Sequence, residues 1–92
     1  MPVVQRTVTV IHRQGLHARP AALFVQSAKR FASQVTVRKG RKVVDGKSIM
    51  GLLTLAAKQG ARISITANGS DAVEALERLG ELLTKPLPDT SK

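Results

Sequence analysis

The residues Gly15-Leu16-His17-Ala18-Arg19-Pro20 have types and spacing that suit chemistry on an anion. A two-residue apolar alternation ends before them, and a helical spacing of apolar residues begins after them. Proline is comfortable in the first turn of a helix, where its missing N–H would have no intrahelical partner. A helix is therefore expected to start at Ala18 or Arg19, with His17 at or beside its N-cap. The first N–H groups of a helix are unpaired and point outward with partial positive charge, so the place beside His17 favours an anion such as phosphate. The Ala18 and Arg19 amides and the planar donor fork of the Arg19 side chain would hold its oxygens. The same positive field disfavours imidazolium and keeps a nucleophilic ring nitrogen available near neutral pH. This combination suits a histidine that accepts a phosphoryl group. Spacing alone also allows a plainer reading, in which the histidine is an accident of loop composition, since Ser, Asp, Asn, Thr and Gly are the usual N-caps.

A second stretch, Asp45-Gly46-Lys47-Ser48-Ile49-Met50-Gly51, opens another helix with Ser48 at its N-cap. Capping is a sufficient reason for a serine there. Yet Ile49, Met50, Leu52 and Leu53 offer more apolar surface than one core face can bury, so part of it is expected to lie exposed as a docking patch.

The elements that must position these residues follow from periodicity. Val4, Val8 and Val10 alternate with Thr7 and Thr9, which predicts a strand over 3–11 with one dry face. Ala21, Phe24, Val25, Ala28 and Phe31 or Ala32 recur at helical steps, predicting a helix over 18–32. Val35 and Val37, the Lys39-Gly40 turn and Lys42 to Asp45 read as a hairpin with a basic tip, where charges are usually solvated. A short helix over 49–59 is stopped by Gly60. Ile63, Ile65 and Ala67 mark a fourth strand, and Ser70 or Asp71 caps a last helix striped by Val73, Leu76, Leu79 and Leu83. Glu74 and Arg78 are spaced for an ion pair on its wet side, and Pro86 and Pro88 end it. Every strand has a polar face, so the set is expected to close as an α+β open-faced β-sandwich: a four-stranded antiparallel sheet with three helices on one face, in the order βαββαβα. The 92 residues make a single domain, with 85–92 a loose tail.

Composition removes several classes of function. There is no cysteine, so no disulfide or thiolate metal site is possible, which suits a reducing cytoplasm. His12 and His17 are separated by a turn with no nearby carboxylate, so no metal is expected. No N-terminal signal pattern or membrane-length apolar run occurs, and membrane insertion is not expected. The net charge of +9 is carried entirely by residues 1–50, which hold ten Lys or Arg and one acid. A one-sided basic surface implies an anionic partner. Phe24 and Phe31 are the only aromatic residues and both fit a helix core stripe, which argues against base stacking on nucleic acid.

Gly15-Leu16-His17-Ala18-Arg19-Pro20-Ala21-Ala22 and Lys47-Ser48-Ile49-Met50-Gly51, about thirty residues apart, together resemble the histidine-containing phosphocarrier HPr family of the bacterial phosphoenolpyruvate-dependent sugar phosphotransferase system. The resemblance spans about residues 3–84. It implies that His17 is the phosphohistidine, Arg19 its anion partner and Ser48 a regulatory phosphoserine where an HPr kinase/phosphorylase exists. It further implies receipt of the phosphoryl group from enzyme I and delivery to enzyme II A domains by a cytoplasmic monomer without a cofactor, a carrier rather than a free-standing enzyme. Docking is assigned to Ala22, Leu23, Lys29, Lys47, Ile49, Met50 and Leu53. A catabolite-control transcription regulator is a further partner of the family. The Lys47–Gly51 wording is closer to the Gram-positive type than to the enteric one, and a histidine at position 17 argues against the related carrier that has lost it and serves catabolite repression. The charge of +9 is high for the family, and the tail after Pro86 is longer than in its shortest members. Two other classes remain: a regulatory HPr-like protein of another phosphotransfer branch, and a nucleic-acid module using Arg38, Lys39, Arg41 and Lys42.

Overall fold

Alternation along the strands decides which side of the sheet is dry. The computed structural model describes residues 3–85, so the tail after Pro86 and the ending of the last helix by Pro86 and Pro88 lie outside the described residues. The elements are β1 (Val3–Thr9), α1 (Ala18–Ala28), β2 (Gln34–Lys39), β3 (Lys42–Asp45), α2 (Ile49–Thr54), β4 (Arg62–Asn68) and α3 (Ala72–Thr84). The strands form one antiparallel sheet in the order β1-β4-β2-β3. Val8 lies opposite Ile63, Val37 opposite Ile65 and Val44, and Val35 opposite Ala67, so a single register brings the apolar residues to one face. The other face carries Thr7, Thr36, Arg38, Ser64 and Thr66, with the Thr7 and Ser64 hydroxyls 3.1 Å apart.

The helices cover the apolar face, and the architecture is the expected α+β open-faced sandwich. α3 packs on β1 and β4, α2 against β3, and α1 touches both other helices. Phe24 is fully buried among Leu52, Ile63, Ile65, Leu79 and Leu83 in the core. Truncating such a side chain to alanine typically costs about 3–5 kcal/mol.

Several boundaries differ from the sequence expectation, each for a tertiary reason. β1 ends at Thr9 rather than Ile11, because the chain bends there and the Ile11 N–H donates to the Leu83 carbonyl of α3. α1 ends at Ala28 rather than Ala32, since the Ala32 and Ser33 amides donate to the Asp71 carboxylate instead of continuing the helix. α2 ends at Thr54 rather than Gln59, where Ala56 takes a left-handed φ of 52° that no helix can continue through. In α3, Val73 is 60% exposed, and Ala72, Ala75 and Gly80 complete the buried stripe. Asp71 occupies the N-cap of α3 but makes no cap bond with its side chain, which is turned toward Ala32 and Ser33. Among the described residues the only salt bridge is Glu81–Lys85 at 3.5 Å; Glu74 and Arg78 do not pair.

Candidate functional site

His17 is the N-cap of α1, as Pro20 predicted, and the helix starts at Ala18. The His17 carbonyl accepts the first intrahelical bond, from the Ala21 N–H at 3.0 Å, while the imidazole makes no cap hydrogen bond. The ring is half-buried at the open start of the helix, where helix geometry aims partial positive charge. Ala18 and Arg19 are exposed in the first turn, and Pro20 is buried beneath them.

The loop carrying His17 is fixed from below by the segment after α2. The Gly15 N–H donates to the His12 carbonyl at 2.8 Å, and the His17 N–H to the Gly15 carbonyl at 2.9 Å. The Leu16 N–H donates to the Ala57 carbonyl at 2.8 Å. Gly15 has φ of 72° and lies so close to Ala57 that any Cβ would overlap the Ala57 carbonyl oxygen. Farther back, His12 Nε2 lies 2.8 Å from the Leu82 carbonyl, which places a proton on Nε2, and Gln59 Nε2 donates to the Ile11 carbonyl at 3.1 Å. His12 is thus a structural partner of α3. Neither residue carried a local sequence signal for this role, because the acceptors lie 70 and 48 positions away.

Ser48 caps α2 as expected, its Oγ accepting from the Gly51 N–H at 3.1 Å. Asp45 braces the approach, its carboxylate accepting from the Lys47 N–H at 2.9 Å and its carbonyl from the Ser48 N–H at 3.1 Å. Gly51 lets α2 approach β3, because an added Cβ would come within 3.2 Å of Val44 Cβ. Met50 is 70% and Ile49 41% exposed, while Leu53 is half-buried against the core. Ala22 and Leu23 on α1 are also half-buried, and Lys29 is exposed. The two helices that carry these residues, α1 and α2, pack together. Lys47 is more constrained than a free surface lysine, since its Nζ donates to the Phe31 carbonyl at 2.9 Å.

The basic hairpin does not present its charges together. Lys39 and Lys42 alternate onto the helix side, where Lys42 Nζ donates to the Thr54 carbonyl at 2.8 Å and Lys39 Nζ reaches the Leu55 and Ala56 carbonyls at 3.4 Å. They complement the negative end of α2. Arg38 lies on the opposite face, and Arg41 is at the exposed tip. Among the described residues no group of three or more His, Asp or Glu is gathered that could hold a metal, and no helix is long and apolar enough to cross a membrane.

The family described as "PTS HPr component phosphorylation site" matches residues 4–85. The chain belongs to the PTS HPr family. The HPr-like protein Crh of Bacillus subtilis (strain 168) is 52% identical over 77 residues, covering 84% of this chain and 91% of Crh. The phosphocarrier protein HPr of Haemophilus influenzae is 45% identical over 78 residues, covering 85% of this chain and 92% of that one. The crystal structure of a phosphocarrier protein HPr from Bacillus anthracis str. Ames superposes with a TM-score of 0.86 at 49% identity, covering 90% of this chain and 99% of that one. The HPr fold and family are thereby established together.

Proposed function

We propose that this HPr-family chain is a cytoplasmic phosphocarrier in which His17 takes a phosphoryl group from phospho-enzyme I and hands it to enzyme II A domains during sugar uptake. The observation that carries this reading is the uncapped start of α1 beside His17, where an unprotonated ring nitrogen can attack phosphorus while the helix start and Arg19 receive the phosphoryl oxygens. Phosphoryl transfer demands positioning more than covalent machinery, and a carrier needs one surface that serves both donor and acceptor. The exposed Ile49 and Met50 beside α1, with Ala22, Leu23, Lys29, Lys47 and Leu53 around them, supply that surface. Ser48, at a helix N-cap next to the patch, is the site for regulatory phosphorylation by an HPr kinase/phosphorylase, and its phosphorylated form is the one a catabolite-control regulator would read.

A second reading is favoured by the 52% identity to Crh: a regulatory protein that works through phosphorylated Ser48 while His17 stays idle. One assay separates the two. Purified protein incubated with phosphoenolpyruvate and a bacterial enzyme I is expected to take up acid-labile phosphate, and His17→Ala to take up none. Absence of uptake in the parent chain, or uptake by His17→Ala, overturns the carrier reading.

A further inference from the structure

A groove of about 360 Å³ runs between α1 and α3. Leu23 and Leu82 supply its apolar wall, and Gln26, Ser27, Arg30, Arg78 and the Glu81–Lys85 pair its polar one. Arg30, in the turn after α1, and Arg78 of α3 also line the adjoining cavity, so both residues border the two. The groove itself sets Arg30, Arg78 and Lys85 against one acid, Glu81, while Asp71 and Glu74 line the adjoining cavity. Glu81 is paired with Lys85, the Asp71 carboxylate is engaged by the Ala32 and Ser33 donors, and Glu74 lines only the adjoining cavity. Among the described residues neither Arg30 nor Arg78 makes a salt bridge, although Glu74 and Arg78 are spaced for one.

We propose that this groove binds a small phosphate monoester, its phosphoryl group held between Arg30 and Arg78 and its organic body laid along Leu23 and Leu82. A lone carboxylate presents two oxygens and satisfies one guanidinium fork, whereas a phosphoryl dianion presents three and can accept from two forks and the Ser27 hydroxyl together. The volume falls within the range of small-ligand sites, about 300–1,000 Å³. Both arginines are exposed, so binding is of millimolar strength. The inference is independent of the carrier reading, but the two meet at Leu23, so a bound ester would lie against one edge of the docking surface.

The test is a residue-resolved NMR titration of the full chain with phenyl phosphate, inorganic phosphate and benzenesulfonate. Phenyl phosphate is expected to shift the amides of Leu23, Ser27, Arg30, Arg78 and Leu82 at millimolar concentration, with the other two probes weaker. Arg30→Gln and Arg78→Gln should each weaken that response about tenfold, as loss of one charge-assisted bidentate contact would, with unchanged melting temperatures. Shifts confined to His17 and Ala18 would overturn the proposal. So would a diffuse response that both variants retain, which is general attraction to a chain of charge +9, or groove shifts produced by a short oligodeoxynucleotide but not by phenyl phosphate.

Discussion

The starts of α1 and α2 both follow an extended N-cap residue and are finished in opposite ways. At α2, Ser48 has extended backbone angles and its hydroxyl closes onto the Gly51 amide. At α1, His17 also has extended angles, but its ring leaves the first turn open. A cap at such a position contributes about 1 kcal/mol, so α1 forgoes stability that α2 keeps. On the proposed reading the two ends have different work: one is closed for structure and can be modified, the other is left open for an anion.

The sharpest way to break this comparison is to close the open end. His17→Ser is expected to abolish phosphate uptake from phosphoenolpyruvate and enzyme I, yet to raise stability by about 0.5–1 kcal/mol in denaturant unfolding, because serine caps where histidine does not. A variant that loses uptake without gaining stability would mean that the open helix start carries no energetic cost.

Next in size is the converse change, a phosphate placed on Ser48. A dianion at an N-cap is favoured by the helix dipole, so the melting temperature should hold or rise. Transfer to His17 should slow on the order of 10²-fold, because the enzyme I surface that meets Ile49 and Met50 would face new negative charge. Ser48→Asp should act in the same direction more weakly. A marked fall in melting temperature on phosphorylation would defeat the capping argument, and unchanged transfer would leave Ser48 a cap and nothing more.

A smaller effect tests the surface between the two helix starts. Met50→Asp is expected to slow transfer from enzyme I about tenfold or more with little change in melting temperature, as for an exposed interface anchor. Arg38→Ala, on the far face of the sheet, should change it less than about twofold. Equal losses would move recognition from the Ile49–Leu53 patch to the basic hairpin.

The smallest expected effect concerns the third helix start. Asp71, at the N-cap of α3, is held below its ordinary value of 3.8 chiefly by the Ser33 hydroxyl and then by the Ala32 amide. A carboxylate favoured in the folded state contributes stability above its unfolded value and loses it as pH falls through the folded one. Thermal melts should therefore decline more steeply below about pH 4 in the parent chain than in Asp71→Asn, whose side chain does not titrate. Parallel acid profiles would remove Asp71 from the account.

The two helix starts on which the proposed function rests were legible because their signals are local. Pro20 fixes where α1 begins, and Ser48 stands three residues before the amide it caps. The strand faces were legible too, since alternation needs no knowledge of partners. The helix ends were not, because distant residues set them. α1 stops where Asp71 takes the Ala32 and Ser33 amides from 39 and 38 positions away. α2 stops before the left-handed Ala56, and Lys39 and Lys42 reach the carbonyls of Thr54, Leu55 and Ala56, so charges read as solvated are in fact docked. Asp71 misled for the same reason: it has the type and position of a cap for its own helix, and its carboxylate serves another segment.

The bonds from Ile11 and His12 to Leu83 and Leu82 carry a consequence for how the chain is made. The residues just before the histidine loop rest on carbonyls of the last helix, and among the described residues β1 pairs with no strand but β4. A ribosome that has released only the first half of the chain has therefore extruded His17 but nothing to hold its loop. Contacts of such long sequence separation form late, and translation at about 5–20 residues per second sets a delay of seconds before they are possible. A nascent chain stalled before α3 has the Ala57 contact of the histidine loop but not the Ile11 and His12 anchors on the last helix, so its loop is held from one side only.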